Sequence, residues 1–295
     1  MNNKFIEFWK KTKFYGDTQI LDVDYEILKT NNLLISKEEY IDSIRKSGFA
    51  TVQKSKQGIK IHRDLPPEPF VGDLLNAKAY IISLNPGCAE HEYNSEYGWG
   101  WKNLVDIAEQ NRKQEFDKSI CKFYYLDDVL ANTGGGKYWI NDKIGERTQH
   151  KLKGLVEKLA TTKHLTFNQA KSILSDSLCD IELCPYHSCR WGINPETLKQ
   201  LPSIQQCLDF IKNTIVPEVL KGNKSLIILR HVKNICDFID ESGFVFVYNN
   251  QKYKFSELDT LGLPNVCFYR TPGEAQSASL NPDKRAGAVI FDAIK

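Results

Sequence analysis

The chain has 295 residues, 41% of them hydrophobic and 26% charged, an ordinary globular composition that excludes wholesale disorder. Thirty-nine Lys and Arg against 37 Asp and Glu leave a formal charge of +2, too even to demand a nucleic-acid partner yet compatible with a local basic groove. No apolar run approaches the roughly 20 residues of a spanning helix, so no membrane partner is expected. The first residues, with Glu7 among them, lack the apolar centre of an export signal, which makes a cytoplasmic protein the expectation.

Eight cysteines stand at irregular spacings, several inside apolar runs. A secreted disulfide scaffold would be shorter and denser in Cys, so reduced, mostly buried thiols are expected. Residues 1–65 are mixed and polar and read as an N-terminal extension. Pro66, Pro67 and Pro69 then mark the entry into a domain spanning 66–295.

In that domain Ala79-Tyr80-Ile81-Ile82-Ser83-Leu84 is a short β-prone run stopped by Asn85-Pro86-Gly87, the pattern of a buried strand. Similar runs begin at Cys179, Ser225 and Val266. Helical patterns cover 149–159, 166–174, 204–220, 232–239 and 287–294. Strands alternating with helices predict an α/β fold, three layers deep, around a four-stranded, mostly parallel sheet. The stretch 88–149 is too long for a simple connection and reads as an insertion.

Ligands of such sheets bind beyond the carboxyl ends of the strands. Three segments stand there. In Ser83-Leu84-Asn85-Pro86-Gly87, Pro86 fixes the turn, Gly87 permits close backbone approach, and the Asn85 amide can hold a water or read a base edge; an ordinary Asn-Pro-Gly turn is the alternative. Leu183-Cys184-Pro185-Tyr186-His187-Ser188-Cys189 places two thiols and an imidazole close in sequence. No Cys-x-x-Cys pair accompanies them, so a pocket wall carrying Tyr186 and His187 is expected rather than a metal, and no cofactor is predicted. The third segment, Tyr269 to Leu280, offers small hydroxyl and amide groups to phosphates. Between the first two lie Tyr93, Tyr97, Trp99 and Trp101, either a stacking wall or a satellite core. Thr133-Gly134-Gly135-Gly136-Lys137 lacks the first Gly and the final hydroxyl of a phosphate-binding loop and reads as a flexible loop.

A strand ending in Leu84-Asn85-Pro86-Gly87, led by the Pro-rich 66–72 and followed by a last strand entering Thr271-Pro272-Gly273, resembles the uracil-DNA glycosylase superfamily. The likeness covers roughly 66–295 without the insertion and is nearest to the mismatch-specific and single-strand-selective branches. It differs in Ser83, where those branches have Gly, and in Thr271-Pro272-Gly273, where the family has His-Pro-Ser or Asn-Pro-Ser. The resemblance implies a base-flipping pocket and DNA as partner. Asn85 would position the attacking water, and Arg270 or Thr271 would stabilise the departing base anion or hold the backbone. Ser83, Pro86, Gly87, Tyr93, Tyr97, Trp99, Tyr186, His187, Gly273, Ser277 and Ser279 would line the substrate site, with Leu280 near the family's apolar wedge. Lys54, Lys56, Lys60, His62, Arg63, Lys284 and Arg285 are available for phosphates. The expected activity is hydrolysis of the N-glycosidic bond of a damaged or modified base. A non-catalytic nucleotide or nucleic-acid binder and a free-nucleoside hydrolase are the other readings.

Overall fold

The computed structural model describes residues 3–96, 98–116, 120–140, 142–144, 147–149, 152–271 and 280–295. Its chain divides into two compact units. One gathers 1–69, 84–113 and 182–210; the other holds 70–83, 114–181 and 211–295.

The second unit carries the sheet. The strand Ala79–Ser83 pairs in parallel with Ser225–Ile228, which pairs in parallel with Val266–Phe268. On its other side Ala79–Ser83 neighbours Leu178–Glu182. All four expected strands are present, in the spatial order 178, 79, 225, 266. The fold is therefore mixed α/β with a mostly parallel sheet. The chain leaving Ala79–Ser83 reaches Leu178–Glu182 on one side, and the chain leaving that strand crosses back to Ser225–Ile228 on the other. The direction of winding thus reverses between these two neighbours, and the switch point of the sheet falls at their carboxyl ends. A fifth strand, Phe70–Gly72, runs antiparallel to Leu178–Glu182 at the edge. Sequence reasoning took its prolines as an entry only, and three residues are too few to show a period.

Ile81, Ile82, Leu226, Ile227, Cys267 and Phe268 are buried, as strands covered on both faces require. Each such aliphatic or aromatic side chain contributes about 1.5–3 kcal/mol by leaving water. The helix Arg285–Ile294 packs on Val266–Phe268 and Ser225–Ile228, and against the helices Lys153–Lys163 and Phe167–Ser177. Thr166 and Gln169 close a capping box that starts the second of these. The expected helix over 204–220 is three pieces: Pro202–Phe210, a π-helical turn Ile211–Ile215, and Val216–Leu220. Pro217 has no N–H and its ring would crowd the carbonyl four residues back, which the wider turn relieves.

The run 133–137 is not a loop. Thr133 Oγ1 accepts from the Gly136 N–H and caps the helix Gly134–Trp139. A Cβ on Gly135 would stand 2.0 Å from the Tyr125 ring, so the glycines serve close packing. Leu280 is buried in the core of this unit rather than free to act as a wedge.

The first unit is built on the helices Lys4–Lys11, Asp22–Thr30, Lys37–Ser47, Lys102–Lys113 and Pro202–Phe210. Asn3 caps the first, a Ser36–Glu39 capping box starts the third, and Phe5 stacks on Phe210 with ring centroids 5.3 Å apart. A short parallel pair joins Leu34–Ile35 to Ile61–His62.

Candidate functional site

Within the first unit, the segment after Ala79–Ser83 and the segment after Leu178–Glu182 are laced together by their backbones. The Cys184 N–H donates to Leu84 O at 2.8 Å and the Ser188 N–H to Pro86 O at 3.3 Å. The entry segment joins them, with the His62 N–H on His187 O at 3.0 Å and the Glu68 N–H on Pro185 O at 2.8 Å. These bonds satisfy loop backbone groups that burial would otherwise penalise.

Asn85 sits in this lacing with its side chain partly exposed. Its amide nitrogen donates to Pro86 O at 2.8 Å and Ser188 Oγ at 3.0 Å, and lies 3.5 Å from Tyr186 O. Fixing the NH₂ end fixes the other. The carbonyl Oδ1 accepts no hydrogen bond among the described residues, which leaves it to an external donor such as water. Beside it, the exposed Gly87 N–H has no acceptor among the described residues, and a Cβ on Gly87 would meet nothing within 4 Å. Among the described residues nothing makes a close approach to Gly87.

Tyr186 and His187 are placed differently from the pocket wall expected of them. Both are buried. The Tyr186 hydroxyl donates to Asp24 Oδ2 at 2.6 Å and accepts from the Leu21 N–H at 3.3 Å. His187 faces Gly87 O from Nδ1 at 2.8 Å and Pro66 O from Nε2 at 3.1 Å, with Glu68 Oε2 3.4 Å away. Burial pulls its pKa down, against the nearby Glu92 charge and the Gly87 carbonyl. Trp99 is buried too, edge-on to the His187 ring at 5.1 Å. These three rings build the loop floor.

In the second unit, the Ser83 hydroxyl donates to the buried Asp180 carboxylate at 2.9 Å. The Arg270 guanidinium pairs with Asp259 and donates to Ser256 O. The Asp259 hydrogen bond raises its pKa further, so this charge is held within its own unit. Thr271 is exposed. Ala79–Ser83 and Val266–Phe268 are both parallel to Ser225–Ile228, so Ser83 and Phe268 end strands at one edge of the sheet. Tyr97, Gly273, Ser277 and Ser279 lie outside the described residues. Arg230 and the exposed His231, whose φ is 55°, follow Ser225–Ile228 at that same edge. Sequence reasoning passed over them; a basic pair one residue past a strand was the available signal.

A second constellation emerges in the first unit. His62 is not a surface cation: it is buried, with Nδ1 2.9 Å from the Tyr93 hydroxyl. Cys88 Sγ lies 3.8 Å from Nδ1, and Cys189 Sγ lies 3.9 Å from Nε2 and 3.6 Å from the Tyr40 hydroxyl. A hydrogen bond from Cys88 holds the Cys189 thiol down at about 5 against the effect of burial, with His62 and Tyr40 assisting. Burial pushes Cys88 well above its usual value. The sequence-adjacent trio Cys184, His187 and Cys189 does not act together. Cys184 is fully buried, and its thiol is raised to about 12 by that burial.

A shallow surface groove of about 590 Å³ lined by Lys4, Glu7, Phe8, Lys11, Thr12, Lys13, Asp22 and Val23 contains none of the residues above. Among the described residues no helix is long and apolar enough to cross a membrane. No family model, curated protein or solved structure matches the chain.

Proposed function

We propose that this protein is a divergent relative of the uracil-DNA glycosylases that hydrolyses the N-glycosidic bond of a damaged or modified base in DNA, with Asn85 holding the attacking water. The observation that carries the reading is the anchored amide of Asn85. Its N–H groups are engaged by Pro86 and Ser188, and its Oδ1 is left open in the loop leaving the switch point of a mostly parallel sheet.

The chemistry asks for two things. Cleaving the bond puts positive charge on the sugar and negative charge on the departing base, so a water must be aimed at the anomeric carbon and hydrogen bonds must meet the anion. Asn85 Oδ1 serves the first by accepting a hydrogen bond from that water, which turns its lone pair outward. The Gly87 N–H, without an acceptor among the described residues, is suited to the second, as backbone donors commonly are for developing anions. Arg270 is less suited to that task than the motif implies, because its guanidinium would first have to leave Asp259.

Single-turnover excision on oligonucleotides carrying a panel of damaged and modified bases tests the proposal, with abasic sites as the readout. Protein that binds these oligonucleotides but excises nothing from the panel would favour the binding-module reading. Cleavage restricted to free nucleosides would favour a nucleoside hydrolase.

A further inference from the structure

We infer that His62, Cys88 and Cys189 form a binding site for a thiolate-preferring divalent metal ion, zinc above all, within the first unit. One ring nitrogen of His62 and the two sulfurs lie within 4.8 Å of one another, and all three residues are buried. A tetrahedral zinc ion with bonds of about 2.3 Å to sulfur and 2.0–2.1 Å to nitrogen holds its ligands roughly 3.5–3.8 Å apart. Cys189 Sγ, 3.9 Å from Nε2, is already near that spacing, and Cys88 Sγ, 3.8 Å from Nδ1, lies beside the same ring.

The surroundings fit a ligand histidine. Metal-bound imidazole almost always engages its second nitrogen in a hydrogen bond that fixes the ring. Here the Tyr93 hydroxyl meets Nδ1 at 2.9 Å, which leaves Nε2 for the metal. Tyr40, edge-on to the imidazole at 4.4 Å, confines the ring from another side. Its hydroxyl lies 3.6 Å from Cys189 Sγ. Two sulfurs and one imidazole are a soft donor set that favours zinc over magnesium or calcium. Both thiols coordinate as thiolates, so each gives up its proton to solvent on binding and no oxidant or reductant is involved.

The site would tie three segments distant in sequence. Cys88 stands three residues after Asn85, and Cys189 directly follows Ser188, which holds the Asn85 amide. The metal would thus brace the loops that aim Asn85, while its binding does not depend on the glycosylase reading.

The test is cobalt titration of the reduced, full-length protein after removal of bound metal, alongside elemental analysis of the protein as purified. The expected result is one equivalent per chain, with a sulfur-to-cobalt charge-transfer band that zinc displaces. Zinc should also protect Cys88 and Cys189, and not the half-buried Cys121, from alkylation mapped by mass spectrometry. Cys88→Ser and Cys189→Ser should each weaken binding by more than about 100-fold, and Tyr93→Phe by about 10-fold, as loss of a ligand's hydrogen-bond partner does. Cys121→Ser should bind like the wild type. Folded, reduced wild type that takes up no cobalt overturns the inference, as does zinc that leaves both thiols open to alkylation. That wild-type outcome stands even where a ligand variant fails to fold.

Discussion

Asn85 and Asp24 show how one polar side chain can serve either chemistry or structure. Asn85 keeps an open carbonyl oxygen, whereas the buried Asp24 carboxylate receives the Tyr186 hydroxyl and, at 3.3 Å, the Ser203 N–H. Burial pushes the Asp24 carboxyl up, against the hydrogen bonds from Ser203 and Tyr186. Asp24→Ala strands two buried donors and should destabilise by about 1–3 kcal/mol for the lost acceptor, read as a lower denaturation midpoint with an unchanged slope. Asn85→Ala alters a turn instead and should leave the melting curve nearly intact. The Asn85 turn was legible because its signals are adjacent in sequence: a strand, then Pro and Gly. The role of Tyr186 was not, because its partner Asp24 is 162 residues away. His62, Cys88 and Cys189 escaped for the same reason. Cys88 and Cys189 are 26 and 127 residues from His62, so no spacing rule could unite them, whereas Cys184 stands close to Cys189 in sequence.

Among the elements, the edge strand Phe70–Gly72 and the turn after it depend on two local devices. Gly72 has φ of 117°, and a Cβ there would stand 2.3 Å from Leu178 O in the neighbouring strand. Gly72→Ala should therefore cost about 1–3 kcal/mol through backbone strain and that collision, measured by chemical denaturation. Asp73 follows, its carboxylate receiving Lys122 Nζ at 2.9 Å and the Asn76 side chain and N–H at 3.0–3.1 Å. Burial alone would raise its pKa, but these donors outweigh it and the pKa is lowered. A carboxyl depressed on folding stabilises above its unfolded value, near about 3.9, and that contribution is lost as pH falls through the folded value. Stability against pH should accordingly fall more steeply below about pH 4 in the wild type than in Asp73→Asn; parallel acid limbs would contradict the pairing. The four expected strands and the helices between them were readable from apolar runs and helical patterns. The edge strand and the π turn were not, since one is too short for a period and the other answers a proline within an otherwise helical pattern.

At the scale of the molecule, alternating apolar runs and helical patterns were enough to read a mostly parallel sheet and the order of its strands along the chain. They did not reveal that residues 1–69 gather with 84–113 and 182–210 into one compact unit. Chain order carries no record of contacts made so far apart, although the prolines at 66, 67 and 69 do stand directly before the point, between Pro69 and Phe70, where the chain passes from one unit to the other. Function in this molecule rests on whether the open amide of Asn85 performs chemistry. Single-turnover excision should be compared for wild type and Asn85→Ala on the same base-carrying oligonucleotides, beside melting curves of both proteins. Removing one positioned polar group at a developing charge commonly slows a reaction by about 10²–10³, so excision should fall by that factor while the melting temperature and DNA affinity stay close to wild type. Undiminished excision by Asn85→Ala would contradict the account.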